Sequence, residues 1–185
     1  MREEREIIMS VYKMNLVAMF AALTAIGAFI QIPIPFMPIT LQVFFVFLAG
    51  VLLGPRLGSL SQIVYITMGL VGLPIFSAGG GPGYIFHPTF GFLIGFIFAS
   101  FFVGYFLKDQ ENLSFIRTLS VCIGGIIIMY AIGIPYMNIV LNQVLGIEQS
   151  MIASAIFMAG FIPGDILKVI GVALIAPRIK KAIRL

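Results

Sequence analysis

Between residues 14 and 179 the chain is a succession of apolar runs broken only by short stretches of Pro, Gly or charge. A run of this kind has no water to satisfy its backbone inside lipid, so it must close its own hydrogen bonds as helix. Of the 185 residues 61% are hydrophobic and 10% charged, against roughly half and about a quarter in a soluble domain, which excludes a soluble fold. At about 20 residues per crossing, the expectation is an all-α membrane protein with six transmembrane helices in one bundle. These are expected to form a single integral membrane domain over 1–185.

The expected runs are 14–32, 41–53, 57–71, 90–107 and 116–145, followed by an apolar segment over 151–160 that leads into a last helix over 163–179. After the first run Pro33, Pro35 and Pro38 forbid helix and impose an extended apolar loop, placed to act as a lid. GPRLG turns the chain around Arg56, and the long fifth run is expected to break near Gly133 and Pro135. The charged start MREEREIIMSVYK precedes a long apolar run without a small-residue cleavage pattern, so the expectation is a retained first span. With both termini cytoplasmic, ten of the eleven Lys and Arg residues fall on the inner side, the exception being Lys168. The outer loops then carry only Glu148 and His87, the asymmetry that the positive-inside rule demands of six crossings. The net charge of +4 is thereby explained by membrane orientation, and no nucleic-acid partner is expected.

The exception is the most informative place in the chain. In FIPGDILKVIG, Asp165 and Lys168 stand three residues apart inside an apolar run. Pro163 suits the first turn of a helix, so Asp165 falls in that turn, where the backbone dipole favours an anion, and Lys168 one turn deeper on the same face. An ammonium at that depth costs a few kcal/mol unless it meets a partner or a wet cavity, so the pair marks a site. The competing reading is a salt bridge that only neutralises itself.

A second stretch, residues 72–89, carries five glycines and three prolines and no helical period. Gly79, Gly80, Gly81 and Gly83 offer backbone NH groups free to turn toward a ligand, with Tyr84 adding an aromatic face and a hydroxyl, unless the stretch is merely a slender connection. It is no nucleotide loop, lacking both the GxxxxGK[ST] pattern and the strand and helix context of a dinucleotide fingerprint. His87, the single histidine, is expected to line the site, and one histidine among scattered carboxylates makes no metal centre. Ser77, His87 and Asp165 form a triad only if spacing is ignored, and the lone Cys122 is a small core residue, so neither catalytic residues nor a cofactor are expected. In the first run Ala18, Ala22 and Ala25 make a small-residue stripe that allows close helix approach, within the bundle or from another chain.

The run GLPIFSAGGGPGYIFHPTFGFLIGF over 72–96, the closing FIPGDILKV, and an alanine-rich first span ahead of a Pro-rich loop resemble the BioY family, the biotin-binding substrate-specific (S) components of energy-coupling-factor (ECF) transporters. The likeness covers nearly the whole chain. It implies a six-helix bundle in the prokaryotic plasma membrane that takes biotin near its outer face. It also implies docking on a transmembrane coupling subunit driven by two ATP-binding subunits. By the same resemblance Asp165 and Lys168 are ligand contacts, and Ala18 and Ala22 the docking pattern, with Ala21 and Ala25 as a second register. The chemistry agrees, since a carboxylate that accepts and an ammonium that donates are complementary to the NH and carbonyl groups of a ureido ring. The valerate carboxylate then takes backbone NH groups near 79–83, or, in the reversed pose, Lys168. Two other classes stand beside this one: a proton-coupled carrier with Asp165 as relay, and an intramembrane enzyme using His87 and Asp165.

Overall fold

The computed structural model describes residues 2–33, 38–108, 110 and 113–183. Pro35 of the expected lid, Asp109, Glu111 and Asn112 of the polar loop, and Arg184 lie outside the described residues, as do the side chains of Arg2 and Arg5. Helix α1, Arg2–Phe29, opens the chain. The Pro-rich loop leaves and returns as a short antiparallel ribbon, β1 (Gln31–Ile32) on β2 (Ile39–Thr40), pairing Gln31 with Thr40 and Ile32 with Ile39. Pro33 and Pro38 sit just outside the ladder, where their missing NH groups leave no bond unmade.

Helix α2, Gln42–Leu70, folds back on itself at Gly54, whose φ of 77° and ψ of −176° lie outside the helical range and favour a residue without Cβ. Pro55 then supplies the fixed φ that restarts a helix. The reversal is plain from Gln42 Nε2, which donates to Tyr65 Oη at 2.7 Å. A straight helix would hold those two residues about 35 Å apart. The two arms, 42–53 and 55–70, therefore run antiparallel, in the places where separate runs over 41–53 and 57–71 are expected. Small residues let the arms and α3 (Phe90–Leu107) approach at backbone distance: a Cβ on Gly50 would stand 2.6 Å from the Ser100 carbonyl oxygen.

Helix α4 spans Phe115–Ile139 and runs unbroken through Gly133 and Pro135, correcting the expected break there. Its packing on α3 is so close that a Cβ at Gly133 would enter the Phe92 ring, and neighbouring helices of this kind tolerate an internal proline. The irregularity appears further on, as a π turn over Val140–Val144. Helix α5 (Met151–Ala159), capped by Ser150 Oγ accepting from the Ala153 NH at 3.2 Å, meets α6 (Ile162–Ile183) at 50°. The final helix thus starts one residue before Pro163 and continues through Pro177, past the expected end at 179.

Four helices among the described residues are long and apolar enough to cross a membrane, or five if the bent α5–α6 pair is one crossing, with α2 counted as a single element. Val46, Phe47, Ala49, Val103, Cys122, Val169 and Val172 are buried at the centre, whereas Met14, Ile26, Ile127, Ile156 and Leu167 are exposed around the outside. Such an apolar exterior suits lipid. At one end of the bundle the Gly54–Pro55 turn abuts Gly104, and Lys180 Nζ donates to the Leu107 carbonyl at 3.3 Å. The ribbon, the glycine-rich stretch and the start of α6 gather at the other end.

Candidate functional site

At that second end the first two turns of α6 project Asp165 and Lys168 into a cavity of about 70 Å³. Lys168 Nζ donates to Asp165 Oδ1 at 2.7 Å, the geometry that a spacing of three on one helix face allows. Both side chains are nearly enclosed, at 11% and 7% exposed, so the pair lies where water screens it little. The other carboxylate oxygen is also engaged: Tyr130 of α4 donates its hydroxyl to Oδ2 at 2.8 Å.

The wall is mostly apolar, with Phe92, Leu93, Phe96, Met129, Met158 and Phe161 contributing, and polar groups enter at only a few points. Thr40 Oγ1 donates to Gln42 Oε1 at 2.9 Å, Gln42 donates to Tyr65, and Tyr65 Oη donates to the Ile75 carbonyl at 3.0 Å. This chain ties the ribbon to the glycine-rich stretch. Thr89, also on the wall, hydrogen-bonds Tyr84 Oη at 3.0 Å and His87 Nδ1 at 2.7 Å, and its own NH donates to that Nδ1 at 3.3 Å. Nδ1 is thereby an acceptor, which puts the ring proton of neutral His87 on Nε2 by inference from the network. Burial holds His87 below the usual imidazole range, favouring that neutral form.

Asp165 and Lys168 therefore stand on the cavity wall, while Tyr84 and His87 form a layer behind Thr89, stacked with ring centroids 4.7 Å apart. Gly79, Gly80, Gly81 and Gly83 are not wall residues. The expectation that this run turns its NH groups to a ligand is corrected for two of them: the Gly79 NH donates to the Phe76 carbonyl at 3.2 Å, and the Gly81 NH to the Gly69 carbonyl at 2.7 Å. Glycine is needed there for the backbone, with φ of 115° and 100° at the two positions. At Gly80 any Cβ would collide with the Leu73 carbonyl. Folding this way seats Phe76 against Tyr65 and Tyr84 beneath the stretch.

On α1, Ala18 and Ala22 are exposed on the outer face and Ala25 is half-buried at its edge. The buried face of the helix is a different one, carrying Val17, Phe20, Ala21, Thr24 and Ala28. Ser77, His87 and Asp165 make no triad, since His87 is bonded to Thr89 and Asp165 to Tyr130 and Lys168. Sequence reasoning missed Tyr130, Gln42 and Thr89. The first two carried a usable signal, a hydrogen-bonding side chain inside an apolar helical run, where such groups need partners.

A sequence model of the BioY family matches residues 1–185. The chain is 47% identical over 178 residues to a probable biotin transporter BioY of Lysinibacillus sphaericus, covering 95% of this chain and 90% of that protein. It is 37% identical over 163 residues to the biotin transporter BioY of Thermotoga maritima, covering 88% and 92%. Among solved structures, the crystal structure of the S-component for biotin from an ECF-type ABC transporter superposes with a TM-score of 0.71 at 30% identity, covering 94% of this chain and 93% of that one.

Proposed function

The chain belongs to the BioY family, and from that premise we propose that it binds biotin and delivers it across the prokaryotic plasma membrane as the substrate-specific subunit of an ATP-driven ECF transporter. It is a transporter component and not an enzyme. The observation that carries the reading is the Asp165–Lys168 pair enclosed in a mostly apolar cavity at one end of the bundle. Along one edge of a ureido ring an NH lies beside the carbonyl, and that edge meets an acceptor and a donor held 2.7 Å apart. The pair carries no net charge, which suits a neutral head group. The reversed pose, with Lys168 on the valerate carboxylate, draws the ammonium from Asp165 without bringing the carboxylate a ligand NH in exchange, and is disfavoured for that reason. Phe92, Phe96 and Phe161 supply apolar wall for the fused ring and chain.

The proposed topology is six crossings in a single domain over 1–185, with each arm of α2 a crossing, α5 and α6 together one, and both termini cytoplasmic. Its support is the antiparallel course of the arms and the position of Arg56, Lys108 and Lys180 near the end of the bundle opposite the cavity. The cavity then faces outward. Ala18 and Ala22, with Ala25 beside them, point away from the core, and we assign them to docking on the transmembrane coupling subunit that the two ATP-binding subunits drive. Equilibrium titration of the purified chain with biotin, and uptake by cells with and without a coupling module, test the two halves of the proposal. Saturable binding by the chain alone and ATP-dependent uptake only with the module are expected. Absence of binding refutes the first half, and equal uptake without the module refutes the second.

A further inference from the structure

The hydroxyl of Tyr130 reaches from α4 to α6 across 35 positions of sequence and ends on the one carboxylate in the cavity. We propose that Tyr130 is a positioning residue for ligand recognition, its hydroxyl keeping Asp165 aimed into the cavity while Lys168 turns from Asp165 to the ligand. This rests on the biotin reading and adds a residue that touches Asp165 and not the head group itself.

The two donors on Asp165 differ in kind. Lys168 reaches Oδ1 from the same helix on a four-carbon stem with several rotors, and the ligand competes for its ammonium. Once that competition starts, a carboxylate held by Lys168 alone would be free to rotate about its own side-chain torsions. Tyr130 has two torsions, and its ring is fixed: it is 8% exposed and meets Phe92 edge-on at 5.8 Å. Gly133, on the next turn of α4, leaves the room that brings the Phe92 ring against that helix. Neither neighbour is mobile in the way that a lysine is. Each carboxylate oxygen offers two acceptor sites, so with one site of Oδ2 taken by Tyr130 the remaining site and the freed Oδ1 can receive a ligand NH. Recognition then uses a fixed acceptor set by α4 and a movable donor on α6.

The test compares the full-length parent with Tyr130→Phe, Tyr136→Phe, Asp165→Asn and Asp165→Asn with Tyr130→Phe, each titrated calorimetrically with biotin, with unliganded thermal unfolding in parallel. Tyr130→Phe keeps the ring against Phe92 and removes only the donor. Tyr136 lies on the same helix and donates to the Ile85 carbonyl at 2.6 Å, which makes it a control for a general loss of hydrogen bonding. A hydrogen bond to a charged group sets the scale, so Tyr130→Phe is expected to weaken biotin binding about tenfold. Tyr136→Phe is expected to stay within about twofold of the parent, and Tyr130→Phe to add no more than about twofold on top of Asp165→Asn. Binding by Tyr130→Phe within about twofold of the parent overturns the proposal, as does an equal loss in Tyr136→Phe or a full loss repeated in the Asp165→Asn background. A parent that does not bind biotin at all overturns the biotin reading and this proposal with it. That outcome is distinct from a parent that binds and a Tyr130→Phe variant that binds as well.

Discussion

Replacing Asp165 by Asn and Lys168 by Met, singly and together, separates a ligand site from a salt bridge that only neutralises itself. In the unliganded protein Lys168→Met leaves the carboxylate, 7% exposed, with the Tyr130 hydroxyl as its remaining donor. Breaking one half of such a buried pair destabilises by about 3 to 5 kcal/mol. Asp165→Asn is milder for the fold, because the amide oxygen still accepts, but its NH2 meets the ligand NH donor to donor. In binding, each single change removes a hydrogen bond in which one partner is charged, a loss of about 1.5 to 3 kcal/mol and hence roughly ten- to a hundredfold in affinity. The double variant recovers thermal stability, since removing both buried charges can be nearly neutral, but lacks both recognition groups. Titration calorimetry on purified protein, with thermal unfolding as the control for folding, reads both quantities. Parent-like affinity in a folded double variant would falsify the assignment of these two residues as ligand contacts.

Three further outcomes follow from other parts of the structure. Ala18 or Ala22 changed to Leu is expected to abolish capture of the coupling subunit and uptake while biotin binding survives, because both residues face outward; joint loss of binding would place them in the bundle core. Gly80→Ala drives a methyl group into the Leu73 carbonyl, so it is expected to lower the thermal midpoint and biotin affinity well beyond Gly83→Ala, where nothing stands within 4 Å; equal effects would contradict the described course of the loop. His87, held below its ordinary pKa by burial, binds fewer protons folded than unfolded. Its neutral form is therefore the stabilised one, and stability is expected to be full above about pH 6.5 and to fall as acidification forces a proton onto the ring. Thermal midpoints measured from about pH 7.5 to about pH 5 should drop less in His87→Gln than in the parent, and an identical drop in both would remove His87 from the account.

The parts of the architecture written in local chemistry were legible without coordinates. Gly54 followed by Pro55 is a reversal signal between two apolar runs, and the arms of α2 do reverse there. Asp165 and Lys168 at a spacing of three after Pro163 announced a shared helix face, and their 2.7 Å contact is that geometry. What depended on packing between distant segments was not legible. Tyr130 meets Asp165 only because α4 and α6 lie side by side, and no local pattern in GGIIIMYAIG says which way the hydroxyl points. Pro135 reads as a break, yet α3 packed against the helix keeps it continuous. The glycine-rich stretch read as a cradle of free NH groups because composition reports where backbone can bend and not which carbonyl it bends toward. The Phe76 and Gly69 carbonyls take the Gly79 and Gly81 donors. Ala18 and Ala22 were recognisable as a stripe, but the face they occupy becomes clear only against the buried Val17, Phe20 and Thr24.

The central claim is that biotin sits with its ureido head on Asp165 and Lys168, and an experimental structure of the chain with biotin bound measures that directly. The expected result places one ureido NH within about 3 Å of an Asp165 oxygen and the ureido carbonyl within about 3 Å of Lys168 Nζ, with the Tyr130 hydroxyl still on Asp165. Biotin seated elsewhere in the bundle, or bound with its valerate carboxylate on Lys168 and its ureido ring away from Asp165, would contradict the account.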